Sequence, residues 1–155
     1  MTLEDDIRAL SAATLFEHLD QDQLRLLAFG AERVQLTAGQ TLYVQNDPAE
    51  CGYVIVRGEI DLTRRIRGKD VALDTAAAGE VLGQFALITE TERMTGAVAR
   101  TDAELFRVSR SIFKRMLGEY PDTALAIHDI MRDELSAFLR RITELERSFR
   151  KSVDL

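Results

Sequence analysis

The residues best placed to do chemistry lie in GEVLGQFALITETER, residues 79–93. A glycine, a short apolar helical turn and a polar loop ending in arginine follow one another there. The first N–H groups of a helical turn have no partner within it, and its dipole favours negative charge. A glycine at the start lets the backbone approach closely, so such a turn can cradle an anion. Arg93 would add a permanent charge and a planar fork of donors. Otherwise it is a solvated loop charge. Glu90 and Glu92 could pair with it when the site is empty. Other chemistry finds little support. Asp20 with Asp22 and Glu144 with Glu146 are acid pairs of the kind usually left on the surface. His18 and His128 are far apart, and no Ser/His/Asp or Cys/His set is evident. Segment 31–108 contains no histidine, which counts against a His/Glu metal cluster. Cys51 is the single cysteine, so neither an intrachain disulfide nor a cysteine zinc site is expected. No catalytic set, metal or resident cofactor is expected.

The elements that must position this segment divide the chain in three. Residues 1–30 read as helical. Leu15, Phe16 and Leu19 are apolar, and Asp20 can cap a helix running to about Ala28, with Gly30 as its stop. Residues 31–108 read as short strands between turns: ERVQL, TLYVQ after Gly39, YVIVRGEIDL joined at Arg57-Gly58, DVALDTA after Arg67-Gly68-Lys69, then TGAVA and AELFRV. This spacing predicts a mainly β fold with α, a jelly-roll-like β-roll or barrel. Residues 109–155 read as two helices, one capped by Ser109 and a longer one started by Pro121. Along the longer helix, Met131, Leu135, Phe138, Ile142, Leu145 and Phe149 recur at alternate spacings of four and three. That a/d stripe predicts a homodimer helix over 128–149, or a helix that folds back on the roll.

Composition narrows the class. The chain has 155 residues, 20 Lys+Arg against 26 Asp+Glu, and a formal charge of −6. An acidic chain is a poor nucleic-acid binder, because that affinity comes from basic groups against phosphates. No apolar run is long enough to span a membrane, and MTLEDDIRAL lacks the basic flank and apolar stretch of a secretion signal. A cytoplasmic protein with no nucleic-acid or membrane partner is expected.

Two stretches carry a family resemblance over about residues 12–140. AGQTLYVQNDPAECGYVIVRGEIDL (38–62) looks like a β-roll opening in which a turn precedes a Tyr-Val strand and a turn glycine. GEVLGQFALITETERMTGAVARTDAELFRVSR looks like a phosphate-binding cassette with its following strands. Together they resemble the cyclic nucleotide-binding domain of catabolite activator proteins, protein kinase A regulatory subunits and cyclic-nucleotide-gated channels. The resemblance implies that Gly83, Gln84, Phe85, Ala86, Arg93, Met94 and Thr95 surround a cyclic phosphate and its ribose. In this arrangement the Ala86 N–H points at the phosphate and Arg93 grips its oxygens.

This sequence departs from the family pattern at several positions. Asn46 stands where glycine is usual, and Asn is the other residue that tolerates a left-handed backbone. Gln84 replaces a glutamate that accepts from the ribose 2′-hydroxyl. A neutral acceptor weakens that bond by roughly 1 kcal/mol without removing it. Met94 replaces a small residue beside the arginine, and Thr95 should face the other side of a strand. Phe138 and Leu139 occupy helix positions that read the base, and Phe138 could stack on a purine as a lid. The implied function is a stand-alone sensor for cyclic AMP or cyclic GMP, with the chain ending at Leu155 before any DNA-binding domain. It would signal through its last helix to an unidentified protein partner. The alternative is a degenerate fold that serves as a ligand-independent interaction or assembly module.

Overall fold

The computed structural model describes residues 2–153. Helix α1 (Leu3–Ser11), a 3-10 turn at Thr14–Phe16 and α2 (Gln21–Gly30) lead into the strands. These are β1 (Glu32–Leu36), β2 (Thr41–Tyr43), β3 (Pro48–Ala49), β4 (Cys51–Arg57), β5 (Ile60–Ile66), β6 (Lys69–Ala76) and β7 (Val81–Leu82). A 3-10 turn, Gln84–Leu87, interrupts them before β8 (Thr91–Glu92), β9 (Gly96–Ala99) and β10 (Ala103–Ser109). Helices α3 (Arg110–Glu119) and α4 (Pro121–Val153) follow. The fold is mainly β with α, a jelly-roll-like β-roll flanked by helices, as the strand spacing predicts.

One sheet has the order β1-β10-β4-β7, the other β2-β9-β5-β6, and β3 pairs with β8 as a separate ribbon. All these pairings are antiparallel. Alternation along the strands builds two cores. Ile55 and Leu105 face inward and pack with Ile60, Ala76, Ala97 and Ala99 of the other sheet. Their neighbours Val54 and Phe106 face outward, where α1, α2, α3 and the start of α4 cover them with Leu10, Leu27, Phe113 and Met131. The first sheet is therefore buried on both faces, which explains the near-continuous burial of β10.

Local signals place the elements. Arg67 and Gly68 both have positive φ, 53° and 81°, and form the two-residue turn between β5 and β6. Such turns match the twist of their strands. Asn46 has φ 74°, the left-handed backbone expected of it. The Ser109 hydroxyl accepts from the Ile112 N–H at 3.3 Å and starts α3. Asp20 accepts from the Gln23 N–H at 2.9 Å, and Gln23 Oε1 accepts from the Asp20 N–H at 2.8 Å. The Gln23 amide then donates to Thr123 at 2.9 Å, tying α2 to the first turn of α4. Asp20→Ala should therefore lower unfolding free energy by about 1 kcal/mol, the usual value of such a cap, in a urea titration.

Helix α4 is 33 residues long, roughly 50 Å at 1.5 Å per residue. Met131 and Ile142 are buried within the chain, while Leu135, Phe138 and Leu145 are half-buried. Part of the apolar stripe is thus covered by the chain itself. His128, on the same periodicity, is exposed because its neighbour Ile127 enters the helical core instead. The Phe149 side chain lies outside the described residues. Among the described residues no helix is long and apolar enough to cross a membrane, and no cluster of His, Cys, Asp or Glu could hold a metal ion.

Candidate functional site

Arg93 follows β8 and is fixed through its backbone. Its N–H donates to the Asp47 carbonyl and its own carbonyl accepts from the Asn46 N–H, both at 2.8 Å. The left-handed Asn46 and the β3–β8 ribbon thereby aim the side chain into the roll. It is only 6% exposed, so it is not a solvated loop charge. The guanidinium carbon lies 4.4 Å from the Tyr43 ring centroid and 5.6 Å from that of Tyr53. Nη2 donates to the Cys51 sulfur at 3.3 Å. Nη1 has no hydrogen-bond partner among the described residues. Glu90 and Glu92, the expected partners in an empty site, form no ion pair with it. Both are exposed, whereas Arg93 turns inward.

Burial pushes the Tyr53 phenol up to about 12. Burial also raises Tyr43, against the opposing influence of Thr95 and Arg93. Both rings are therefore neutral at physiological pH. They offer π faces to the cation but no compensating charge.

Gly83 covers this arginine. Its φ is 68°, and a Cβ added there would lie 2.1 Å from Arg93 Nη1. The site needs glycine for two reasons: a left-handed backbone, and space already taken by the guanidinium. From Gly83 the chain enters the 3-10 turn, where the Ala86 N–H donates to the Gly83 carbonyl at 3.1 Å. The Ala86 N–H expected to face an anion is thus engaged within the turn. The turn's own geometry leaves the preceding N–H groups, of Gln84 and Phe85, without partners inside it.

Gly83, Gln84, Phe85, Ala86, Arg93, Met94, Thr95 and Phe138 all line one cavity of about 560 Å³. Met94 and Thr95 both reach it, although strand alternation predicts opposite faces. They lie in the bend between β8 and β9, where that alternation does not hold. The Met94 carbonyl accepts from Arg64 Nη1 at 2.6 Å, which pins this bend to β5. Phe138 stands at the cavity, whereas Leu139 is 49% exposed and points elsewhere.

Among the polar residues at the same cavity that sequence reasoning missed are Asp74 on β6, and Glu134 and Arg141 on α4. The Gln84 amide nitrogen donates to a Glu134 carboxylate oxygen. Arg141 donates to the Leu73 carbonyl and lies 3.6 Å from the Asp74 carboxylate. Burial raises the Glu134 carboxyl above its ordinary pKa. Glu134, Phe138 and Arg141 are four and then three residues apart, so they share one helix face. That spacing was the available signal, because Phe138 was already assigned to the site. Together the parts form a cavity with a buried, uncompensated cation under a glycine turn and a helix as its outer wall.

Residues 33–120 match the family model of the cyclic nucleotide-binding domain. A solved cyclic nucleotide-binding-like protein from Brucella abortus bv. 1 str. 9-941 is 47% identical, covering 74% of this chain and 98% of that one, with a TM-score of 0.66. The lysophospholipase NTE1 of Chaetomium globosum is 28% identical over 113 residues, 72% of this chain but 7% of its own length. The cAMP-dependent protein kinase regulatory subunit of Aspergillus niger is 27% identical over 123 residues, 79% of this chain and 28% of its own length. The chain thus spans a minor part of these two curated relatives. With the family model covering more than half of the residues, and the glycine turn and arginine brought together as described, the chain belongs to the cyclic nucleotide-binding domain family.

Proposed function

We propose that the chain is a regulatory sensor whose cavity takes a nucleoside 3′,5′-cyclic monophosphate, cyclic AMP or cyclic GMP. The observation that carries this reading is Arg93, a buried cation with an unpartnered Nη1 directly beneath Gly83. Burying a guanidinium without an anion is unfavourable by several kcal/mol. A cyclic phosphate supplies one negative charge and oxygens for the donor fork. The cavity volume falls within the usual range for a small-molecule site, about 300–1,000 Å³. The name of the Aspergillus niger relative, a cAMP-dependent regulatory subunit, supports the same ligand class.

In this reading Gly83, Gln84, Phe85, Ala86, Met94 and Thr95 surround phosphate and ribose, and Phe138 stacks on the base. Helix α4 closes the outer side of the cavity through Glu134 and Arg141. It is the natural carrier of a signal, because a ligand that favours its docked position shifts its population. The apolar side chains of α4 that the roll leaves partly uncovered, Leu135 and Leu139, would then meet a second copy in a homodimer or a protein partner.

Isothermal titration of the purified chain with cyclic AMP and with cyclic GMP tests the proposal. Micromolar or tighter binding of either nucleotide is expected, and the tighter one identifies the signal. Absence of heat with both, on a folded chain, overturns the sensor reading in favour of a ligand-independent interaction module.

A further inference from the structure

Gln84 carries a side-chain amide whose two ends are chemically opposite, one donating and one accepting. Its partner Glu134 is a carboxyl group on α4, fifty residues along the chain. An ionised carboxylate only accepts, so the amide must turn its nitrogen toward Glu134. That leaves Gln84 Oε1 free to accept from a group in the cavity, which Gln84 lines. Gln84 directly follows Gly83, beneath which the Arg93 guanidinium lies. The group nearest a phosphate held there is dictated by chemistry. A 3′,5′-cyclic nucleotide has one free ribose hydroxyl, at the 2′ carbon, vicinal to a phosphate-bearing oxygen. A hydroxyl donor next to the phosphate meets an oriented carbonyl acceptor.

We propose that Glu134 is a positioning residue that fixes the Gln84 amide so that Oε1 accepts the ribose 2′-hydroxyl. The inference rests on the cyclic nucleotide reading above and adds a specificity element to it. It also places sugar recognition on α4. Docking of the helix orients the acceptor, and by thermodynamic reciprocity a ligand bearing the hydroxyl favours the docked helix more than one lacking it.

The test is titration of cyclic AMP and 2′-deoxy-cyclic AMP at about pH 8, well above the ordinary carboxyl range. The proteins are wild type, Glu134→Ala, Glu134→Gln, Gln84→Ala and the Gln84→Ala/Glu134→Ala double variant. Wild type should prefer the ribonucleotide by about fivefold, the range of one hydrogen bond to a neutral acceptor. Glu134→Ala should bring that preference to near unity, read as the ratio of the two affinities, because loss of the carboxylate charge acts on both nucleotides alike. Glu134→Gln keeps an acceptor for the Gln84 amide and should keep part of the preference. The double variant should lose no more than Gln84→Ala does, because the two residues act as one unit.

A preference that survives Glu134→Ala, or equal weakening of both nucleotides, overturns the inference and leaves the sensor reading standing. Failure of wild type to bind either nucleotide overturns both.

Discussion

Arg93→Ala should weaken cyclic nucleotide binding at least about a hundredfold while the chain remains folded. Hydrogen bonds to a charged group contribute about 1.5–3 kcal/mol each, and a guanidinium offers an anion two in parallel. Loss of both exceeds about 3 kcal/mol, beyond two decades in affinity. The effect on folding points the other way. Among the described residues, Arg93 is a buried cation with no carboxylate partner, an unpartnered Nη1 and only a thiol at Nη2. Its compensation is the faces of Tyr43 and Tyr53, about 0.5–2 kcal/mol for such contacts. A methionine of similar length fills the space without the charge. Arg93→Met should therefore have a ligand-free melting temperature no lower than wild type, while the rise that cyclic AMP gives wild type disappears. Differential scanning calorimetry with and without nucleotide reads both effects. Retained affinity would remove Arg93 from the site. A large drop in the ligand-free midpoint would make it a structural residue.

The contrast between what the sequence disclosed and what it concealed follows the range of the interactions. Ser109, Pro121, Asp20 and the Arg67-Gly68 turn act within a few residues of themselves, so each was legible as a cap, start or turn. Asn46 was legible for the same reason, its left-handed backbone being a property of its own short side chain. The Gly83 and Arg93 pairing was readable only because ten residues of recognisable spacing join them. Burial of Arg93 against two stacked tyrosine rings depends on β2 and β4 meeting across the roll, and no local pattern states that. Glu134 and Arg141 were hidden more deeply. Both are ordinary charged residues on an exposed helix, and they gain meaning only from the Gln84 and Asp74 that tertiary packing sets opposite them. The heptad-like stripe shows the limit from the other side. A period near 3.5 says that one helix face is covered, but a partner helix and the chain's own roll both satisfy it. The burial of Met131 and Ile142 assigns those two positions to the chain itself.

Gly83→Ala should act mainly on binding, and Gly39→Ala separates its two effects. Both glycines have positive φ, 68° at Gly83 and 89° at Gly39, so each alanine carries the left-handed backbone penalty of about 1–2 kcal/mol. Around Gly39 a new Cβ meets nothing within 4 Å among the described residues. At Gly83 it would lie 2.1 Å from Arg93 Nη1 and 3.4 Å from the guanidinium carbon. The guanidinium is held by the Tyr43 ring and the Cys51 sulfur, so it can retreat only toward the cavity that it lines. Either the cation shifts or the glycine turn does, and both would hold the phosphate. Displacement of about 1 Å at such a contact typically removes most of its energy, so a loss of about 2 kcal/mol, roughly thirtyfold in affinity, is expected. Chemical denaturation should thus show the shared backbone penalty in both variants, with a further loss in Gly83→Ala from the contact with Arg93, and nucleotide titration should show a loss confined to Gly83→Ala. Equal affinities in both would mean that the glycine is present for its backbone alone, and that the cation beneath it is not the anchor of the ligand. A loss specific to Gly83→Ala ties binding to the one contact that distinguishes the two sites, the approach of the turn to Arg93.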